Sequence, residues 1–316
     1  MLFRSDITEV KTLYGRYDTN GFVSDSVLTS TEGYALLTDS AGGFKVISLA
    51  TLNAPTLTAS MTLGSFAEGL TITDDDNITF VANGTNGLRI IQTATPAAPS
   101  LVTTYNTGYG YSTKYAWDVT LGSSEQYAFV ATGAGMEILD VQSAALPVYV
   151  GEYNTTGTTY GVTLSSDNKQ AFLADGNGGV AILDIRNPGA IASLATYNGC
   201  SGAKAVTLSK DDTVLYVACG TNGVMAIDVS DPAAPVLLGS YNTPGESRDL
   251  WLSDDGSTLY VADGTMGVLV LDVSDPAHPW ARSAYNSAGS SAAVRLTADE
   301  SYGIVSDGGN GLLILQ

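Results

Sequence analysis

A repeat of 44 residues runs through this chain and restricts the folds that it can adopt. One marker is a Tyr-Asn pair, or a degenerate version of it, which begins at Tyr17, Met61, Tyr105, Tyr153, Tyr197, Tyr241 and Tyr285. A second marker is a glycine that opens an apolar run, at Gly43, Gly87, Gly135, Gly179, Gly223, Gly267 and Gly311. Both markers recur every 44 residues, apart from one interval of 48. A fixed period of this length predicts seven copies of one supersecondary unit.

Each unit contains four predicted β-strands, named A to D. In the sixth unit, apolar runs separated by Gly, Pro, Asp and Ser clusters predict these strands at residues 248–252, 257–262, 267–273 and 279–285. Strands B and C are apolar at nearly every position, which a sheet needs only when both of its faces are covered. Four-stranded units of about 44 residues are the size of propeller blades. The sequence therefore predicts an all-β, seven-bladed β-propeller that forms a single domain over residues 1–316.

The two ends of the chain carry complementary parts of one unit. Residues 311–316 match strand C, and no strand D follows them. The segment that begins at Val10 and ends at Tyr17 (VKTLYGRY) matches strand D, as in residues 235–241 (PVLLGSY). We expect this N-terminal strand to complete the last blade and to remove an open sheet edge. An open solenoid, the competing architecture, would not need this complementarity and would favour polar capping units.

The end of strand C and the following turn carry a recognisable motif. It reads GVMAIDVSDPAAP at residues 223–235 and GVLVLDVSDPAHP at residues 267–279. These segments resemble the LVIVD repeat of bacterial and archaeal surface propellers, and the earlier units keep less of the motif. The resemblance implies a secreted or surface-exposed propeller, often a module of a larger surface protein. It supplies no catalytic residues.

The charge balance limits the classes of partner. The chain has 32 acidic and 13 basic residues, a formal net charge of −19. Such a surface repels a phosphate backbone, so nucleic acid is not an expected partner. No apolar run is long enough for a membrane span, and the first residues lack the apolar core of a signal peptide. We therefore expect no membrane insertion, and either a cytosolic protein or a mature, trimmed chain.

Catalytic and metal-binding signatures are scarce. The single histidine, His278, lies in a turn, whereas nucleophilic triads and many metal sites need one or more histidines. Acidic clusters at residues 73–77 and 253–256 resemble calcium loops, but they fall at predicted A-to-B hairpins and lack the spacing of a calcium-binding loop. The Asp that recurs in strand C, at Asp140, Asp184, Asp228 and Asp272, is interpreted as a turn-stabilising residue. We expect no cofactor, with calcium as the one candidate, and no enzymatic activity.

One column of the repeat varies strongly between units. It lies near the start of strand A and contains Ser24, Glu68, Trp117, Tyr160, Lys204, Arg248 and Ala292. If strand A is innermost, these side chains surround one mouth of the central channel, where they could hold a sugar, a peptide or a small anion. The alternative is a set of solvated rim residues. The longer unit adds a Tyr-rich insertion with Tyr109 and Tyr111 on the same face, which favours contact with a partner or is a tolerated surface insertion.

Two cysteines fall in one unit. Cys200 lies in a D-to-A loop, and Cys219 ends a B strand where other units have Asp or Asn. Pairing Leu208 with Val214 across the hairpin would place Cys219 opposite Ala203, close enough to Cys200 for a disulfide. The two thiols are either bonded or free, and a bond would indicate an oxidising compartment.

Three functions remain open at this stage. The first is a non-enzymatic module, extracellular or on the cell surface, that binds a protein or glycan or packs into a surface assembly or filament. The alternative is a metal-dependent enzyme of the lactonase or lyase type, with its metal at the channel mouth held by Glu68, Asp25, Asp118 or Asp249. The third is a purely architectural spacer.

Overall fold

The computed structural model describes residues 12–40, 42–108 and 114–316. In these ranges the chain forms seven four-stranded antiparallel sheets arranged as the blades of a β-propeller. The first strand, β1 (Leu13–Tyr17), belongs to the last blade. The predicted fold class is confirmed.

The first three blades follow in chain order. Blade one consists of β2 (Asp25–Leu28), β3 (Tyr34–Asp39), β4 (Gly43–Ser48) and β5 (Thr56–Met61). Blade two consists of β6 (Leu70–Ile72), β7 (Ile78–Ala82), β8 (Leu88–Gln92) and β9 (Ser100–Tyr105). Blade three consists of β10 (Ala116–Leu121), β11 (Tyr127–Thr132), β12 (Gly135–Asp140) and β13 (Val148–Asn154).

The remaining blades repeat the same order. Blade four consists of β14 (Gly161–Leu164), β15 (Gln170–Ala174), β16 (Val180–Asp184) and β17 (Ala192–Tyr197). Blade five consists of β18 (Ala205–Leu208), β19 (Val214–Ala218), β20 (Val224–Asp228) and β21 (Val236–Tyr241). Blade six consists of β22 (Asp249–Leu252), β23 (Thr258–Ala262), β24 (Val268–Asp272) and β25 (Trp280–Tyr285), and blade seven of β26 (Ala293–Leu296), β27 (Gly303–Ser306), β28 (Leu312–Leu315) and β1.

The core lies between the blades. Strands B and C are buried on both faces because each blade packs between two others. Between blades four and five, for example, Phe172 and Ile182 share one apolar cluster with Leu215 and Ile227. The first strands of neighbouring blades lie against one another around the axis, so strand A is innermost. The predicted strands of the sixth unit agree with β22 to β25 to within one residue at each end.

The two sequence markers meet in space, which explains why they recur together. The glycine before or at the start of strand C has a positive φ in every blade, for example +78° at Gly223 and +83° at Gly267. A Cβ on Gly223 would lie 2.2 Å from the carbonyl oxygen of Tyr241, the Tyr marker of the same blade. Only glycine accommodates both this conformation and this close approach.

The ring closes through the two ends of the chain. Strand β1 pairs antiparallel with β28, and the backbone N–H of Thr12 donates to the carbonyl of Gln316 at 3.1 Å. The predicted closure by an N-terminal strand is confirmed. The strand begins at Leu13, and Val10 lies outside the described residues.

The acidic residues of the hairpins act in the backbone hydrogen-bond network. The strand-C aspartates accept the backbone N–H two residues on, as Asp228 does from Ser230 at 2.9 Å. In the A-to-B hairpins, Asp76 has a φ of +60° and accepts the backbone N–H of Ser30 in the preceding blade at 2.9 Å. Equivalent side chains make the same inter-blade bond at Glu32, Glu125, Asn168, Asp212 and Glu300. These clusters therefore join neighbouring blades.

None of the described residues forms a helix long and apolar enough to cross a membrane.

Candidate ligand site at the channel mouth

The start of strand A in each blade forms the wall of a cavity at one end of the central channel. Its volume is about 430 Å³. All seven side chains of the variable column line it: Ser24, Glu68, Trp117, Tyr160, Lys204, Arg248 and Ala292. The structure thus brings these residues together around one space. Tyr109 and Tyr111, the other two predicted ligand-binding residues, lie outside the described residues.

One side of the cavity is an aromatic wall: Trp117 and Tyr160 line the space, and Tyr115 packs on Trp117 from outside the lining. The ring centroids of Tyr115 and Trp117 lie 4.3 Å apart, and those of Trp117 and Tyr160 lie 4.9 Å apart with an edge-on geometry. The ammonium group of Lys204 lies 4.1 Å from the centre of the Tyr160 ring. Rings that pack on one another in this way hold a fixed orientation, so the wall is preformed.

Glycines of the B-to-C turns make room for these rings. Gly84 and Gly176 have φ values of +54° and +51°. A Cβ at Gly84 would lie 3.0 Å from the Tyr115 ring, and one at Gly176 would lie 3.1 Å from the Tyr160 ring. The close approach of turn and ring explains glycine at both positions.

Glu68 anchors the aromatic wall. The hydroxyl of Tyr115 donates a hydrogen bond of 2.6 Å to Glu68 Oε1. Burial raises the pKa of Glu68, and the bond from Tyr115 opposes that shift. Burial and the neighbouring Glu68 raise the pKa of Tyr115, so this hydroxyl remains a donor at neutral pH.

The opposite side of the cavity is built from small and charged side chains. Ser24 and Ala292 leave open space across from the aromatic wall. The guanidinium of Arg248 donates to Glu246 Oε2 at 2.8 Å and to Ser290 Oγ at 2.8 Å. This side therefore offers hydrogen-bonding groups.

Three aspartates and one arginine form the floor. Asp25, Asp118 and Asp249 hold the same position at the start of strand A in blades one, three and six. Arg295 of β26 lies 2.8 Å from Asp25 Oδ1 and also pairs with Asp249. Each carboxylate additionally accepts a backbone N–H from strand A of the following blade: Asp25 from Leu70, Asp118 from Val162 and Asp249 from Val294.

The protonation states of the floor reflect its burial. Burial raises the pKa of Asp25 to about 7, with Asp249 and Asp118 acting in the same direction and Arg295 in the opposite one. Burial also raises the pKa of Asp118 to about 6, against the hydrogen bonds from Val119 and Val162. Burial alone would lower the pKa of Arg295, but Asp249 and Asp25 raise it, so the arginine stays charged. The floor therefore contains carboxyl groups that titrate near neutral pH.

The floor does not provide a metal-binding set. In the described part of the chain, no group of three or more His, Cys, Asp or Glu side chains is arranged to hold a metal ion. The guanidinium of Arg295 lies against Asp25 and Asp249, where it supplies the positive charge that a cation would bring. Of the residues predicted for a metal, Glu68 lies apart from the aspartates and bonds to Tyr115.

Sequence reasoning missed Arg295 and Tyr115. Arg295 and Trp251 occupy the third position of strand A, where four other blades have Thr71, Thr120, Thr163 and Thr207. This departure from threonine in two adjacent blades was a sequence signal that could have indicated Arg295. In the structure, the Arg295 guanidinium lies 5.5 Å from the centre of the Trp251 ring. Tyr115 belongs to the end of the insertion, and no sequence pattern indicated its contact with Glu68 of the preceding blade.

Cys200 and Cys219 form a disulfide, with an S–S distance of 2.04 Å and Cα atoms 5.5 Å apart. The hairpin register that suggested their proximity was wrong by one residue. Leu208 pairs with Leu215 instead of Val214, because Val214 lies opposite Ser209, whose backbone N–H donates to the Val214 carbonyl at 2.8 Å. The bond joins the D-to-A loop to the end of β19, immediately before the segment that carries Lys204.

Comparison with known families identifies the repeat. The LVIVD repeat model matches residues 75–107, 114–155, 157–198, 212–243 and 244–287. A search of curated proteins found no match.

Several solved structures have a similar fold at low sequence identity. The periplasmic gluconolactonase PpgL of Pseudomonas aeruginosa has 16% identity and a TM-score of 0.68, over 79% of this chain and 81% of that one. A protein of unknown function from Desulfotomaculum acetoxidans has 15% identity and a TM-score of 0.66, over 80% and 83% of the two chains. A protein from Lactobacillus plantarum has 15% identity and a TM-score of 0.73, over 84% and 85%. These similarities establish the fold.

The expectation that the chain has no enzymatic activity is corrected by this comparison. It depended on the single histidine and on the absence of a metal-binding motif. A similar propeller is a gluconolactonase, so this architecture is compatible with catalysis. Whether this chain is an enzyme therefore depends on the residues of its site and not on its fold.

Proposed function

The chain belongs to the LVIVD repeat family, and from the geometry of its channel mouth we propose that it binds a sugar-type ligand there, a polyhydroxylated ring of monosaccharide size. The observation that carries the proposal is the aromatic wall, in which Trp117 and Tyr160 line a cavity that charged groups also line, with Tyr115 packed on Trp117. A sugar ring has an apolar C–H face that packs on aromatic rings, and hydroxyl groups that need hydrogen-bond partners.

The other groups of the cavity support this assignment. Glu68 and Asp118 supply acceptors for hydroxyl groups, and Arg248 supplies donors. Lys204 lines the cavity with its ammonium group over the Tyr160 ring, where it is placed to donate to a ligand oxygen. A cavity of about 430 Å³ falls in the range of small-molecule sites, which is roughly 300–1,000 Å³.

Isothermal titration calorimetry tests the proposal. We expect the wild-type protein to bind at least one member of a panel of D-glucose, D-galactose, D-gluconate, D-glucuronate and their disaccharides. Trp117→Ala should weaken that binding by about fivefold or more, since aromatic packing contributes about 1 kcal/mol beyond the area that it buries.

Trp280→Ala is the matched control. Trp280 is half-exposed on the outer strand β25, far from the channel, and the substitution removes the same side chain. It should leave the affinity unchanged. Absence of binding across the panel, or an equal loss in both variants, would contradict the proposal.

Hydrolysis of a sugar lactone is the second candidate function. The observation that favours it is the pair of raised carboxyl pKa values, at Glu68 and Asp118, in one cavity, because a general base is most effective when its pKa is near the working pH. A carboxylate would take a proton from water as its oxygen attacks the ester carbonyl, and would return that proton to the ring oxygen as the C–O bond breaks. The product is the open hydroxy acid.

The rate of glucono-1,5-lactone opening at pH 6.5, compared with the spontaneous rate, tests this second candidate. We expect saturable acceleration that Trp117→Ala reduces and Trp280→Ala does not. A rate equal to the spontaneous one, in a protein that binds sugars, would leave binding as the function.

We also propose that the protein works in an oxidising compartment outside the cytosol. The buried Cys200–Cys219 disulfide supports this, because such bonds persist mainly in secreted and periplasmic proteins. Maleimide labelling in denaturant of protein taken directly from its source should modify neither cysteine until a reductant is added. Two labelled thiols without reductant would refute the proposal.

A further inference from the structure

Asp118 differs from the other two aspartates of the floor in its partners. Asp25 and Asp249 each accept a hydrogen bond from Arg295. Asp118 accepts backbone N–H groups, from Val119 at 2.8 Å and Val162 at 3.2 Å, and no described side chain donates to it. One of three equivalent carboxylates is thus held in place by the backbone without a paired cation.

Two glycines give this carboxylate its place in the cavity. Gly69 and Gly161 occupy the position of Asp118 in the two neighbouring blades, and all three residues line the cavity. A Cβ on Gly69 would lie 2.4 Å from Asp118 Oδ1 and 2.9 Å from its Cα, closer than atoms can pack. Neither glycine has a positive φ, so the close approach of Asp118, and not a turn, accounts for Gly69.

Asp118 also lines the cavity together with the Trp117 and Tyr160 residues of the aromatic wall. Trp117 precedes it in β10, and Tyr160 precedes Gly161 in the next blade. A ring that packs against Trp117 and Tyr160 would therefore have its edge near the Asp118 carboxylate. The charged or titratable groups that line the cavity with Asp118 are Asp25, Asp249, Glu68, Glu246, Arg248, Arg295, Lys204 and Tyr160.

We propose that Asp118 is the hydrogen-bond acceptor that contacts the ligand at the floor of the cavity, and that it couples occupancy of the site to pH. The inference rests on the proposed function, that the cavity binds a sugar-type ligand. A ligand hydroxyl donates to the ionised carboxylate, which has a free acceptor site because no side chain uses it. Protonation of Asp118 removes the negative charge that strengthens this hydrogen bond.

The sign of the pH dependence follows from the ionisation of Asp118. The pKa of Asp118 in the free protein is raised to about 6. A ligand that binds the ionised form more tightly is favoured above that pH and loses affinity as the pH falls through it. If the bound ligand returns the pKa to its ordinary value near 3.8, the dissociation constant should be about tenfold larger at pH 5 than at pH 7.

The test is calorimetric titration at pH 5 and pH 7 with D-glucose and D-galactose, which are uncharged, so that only the protein titrates. The wild-type protein should show the tenfold ratio, and Asp118→Asn should bind more weakly at pH 7 with a ratio near one. Asp254→Asn is the matched control: it removes an aspartate from an exposed A-to-B hairpin outside the cavity lining and should keep the tenfold ratio.

A measurement without ligand keeps the test decisive if Asp118→Asn folds poorly. NMR of ¹³C-aspartate-labelled wild-type protein follows the carboxyl carbon resonance of Asp118. This resonance is assigned by its absence in Asp118→Asn or by its shift in Gly69→Ala. It should titrate with a midpoint near pH 6. A midpoint below about 4.5 would overturn the inference.

The outcomes separate the two proposals. Sugar binding that depends on Trp117 but not on pH would refute the role of Asp118 and leave the proposed function intact. No sugar binding at either pH would refute the proposed function, and the role of Asp118 with it.

Discussion

At the scale of single residues, the channel floor places an ionisable group where it destabilises the fold. Asp118 is half-buried at the channel mouth, and the backbone N–H groups of Val119 and Val162 only partly offset its loss of hydration. A surface aspartate such as Asp255 shows the opposite behaviour, because Ser253 and Ser257 donate to it in an exposed turn and lower its pKa to about 2. A carboxylate that is kept despite this cost is typical of a functional site.

The stability of Asp118→Asn should therefore depend on pH relative to the wild type. The folded protein holds the Asp118 proton up to about pH 6 and the unfolded chain only up to about 3.8, so the wild type loses stability as the pH rises through that window. The free energy of unfolding of the variant, minus that of the wild type, should increase by about 1–2 kcal/mol from pH 4 to pH 7.5.

Urea denaturation at the two pH values measures this difference. Asp254→Asn, at an exposed hairpin position, is the control and should show no such increase. A difference that stays constant with pH would contradict the raised pKa.

At the scale of the element, the end of strand B holds the following D-to-A loop in place. Asp175 accepts the backbone N–H of Gly157 at 2.9 Å, and Asp263 accepts that of Gly245 at 2.8 Å. Blade five has Cys219 at this position, and its disulfide to Cys200 replaces the hydrogen bond. The loop it holds leads to Lys204, at the channel mouth.

The disulfide and the aspartate should be partly interchangeable. Removing the bond in Cys200→Ala with Cys219→Ala should lower the free energy of unfolding by about 2–4 kcal/mol. Combining Cys200→Ala with Cys219→Asp should restore about 1 kcal/mol of that free energy, because the new aspartate would accept the backbone N–H of Ser201. Ser201 lies as far after Tyr197 as Gly245 lies after Tyr241, so it holds the equivalent position in its blade. Urea denaturation compares the two variants, and equal stability would show that the loop of blade five is held differently.

At the scale of the whole molecule, the ring depends on one strand from the opposite end of the chain. Without β1, the outer edge of β28 would lose its partner, and blade seven would present unpaired backbone groups. The same closure brings Arg295 to Asp25, which lie 270 positions apart in sequence. Ring closure and the floor of the site are therefore linked.

Deletion of residues 1–17 tests this link. The truncated protein should unfold at lower temperature and self-associate through the free edge of β28, as measured by calorimetry and light scattering. A synthetic peptide of residues 10–20 should restore the monomer and part of the stability, whereas a scrambled peptide should not. A stable monomeric truncation would show that β1 is dispensable for closure.

The sequence by itself determined the number of blades, the strand order, the closing strand and the column of side chains at the channel mouth. It could do so because a period of 44 residues assigns Trp117, Tyr160 and Lys204 to one position of a repeated unit. Only the tertiary structure decided what these positions become. Arg295 meets Asp25 and Asp249 because the ring closes, and Tyr115 reaches Glu68 because two blades lie side by side. Periodicity gives a residue its place within a blade, whereas the contacts that shift pKa values and form the cavity arise between blades.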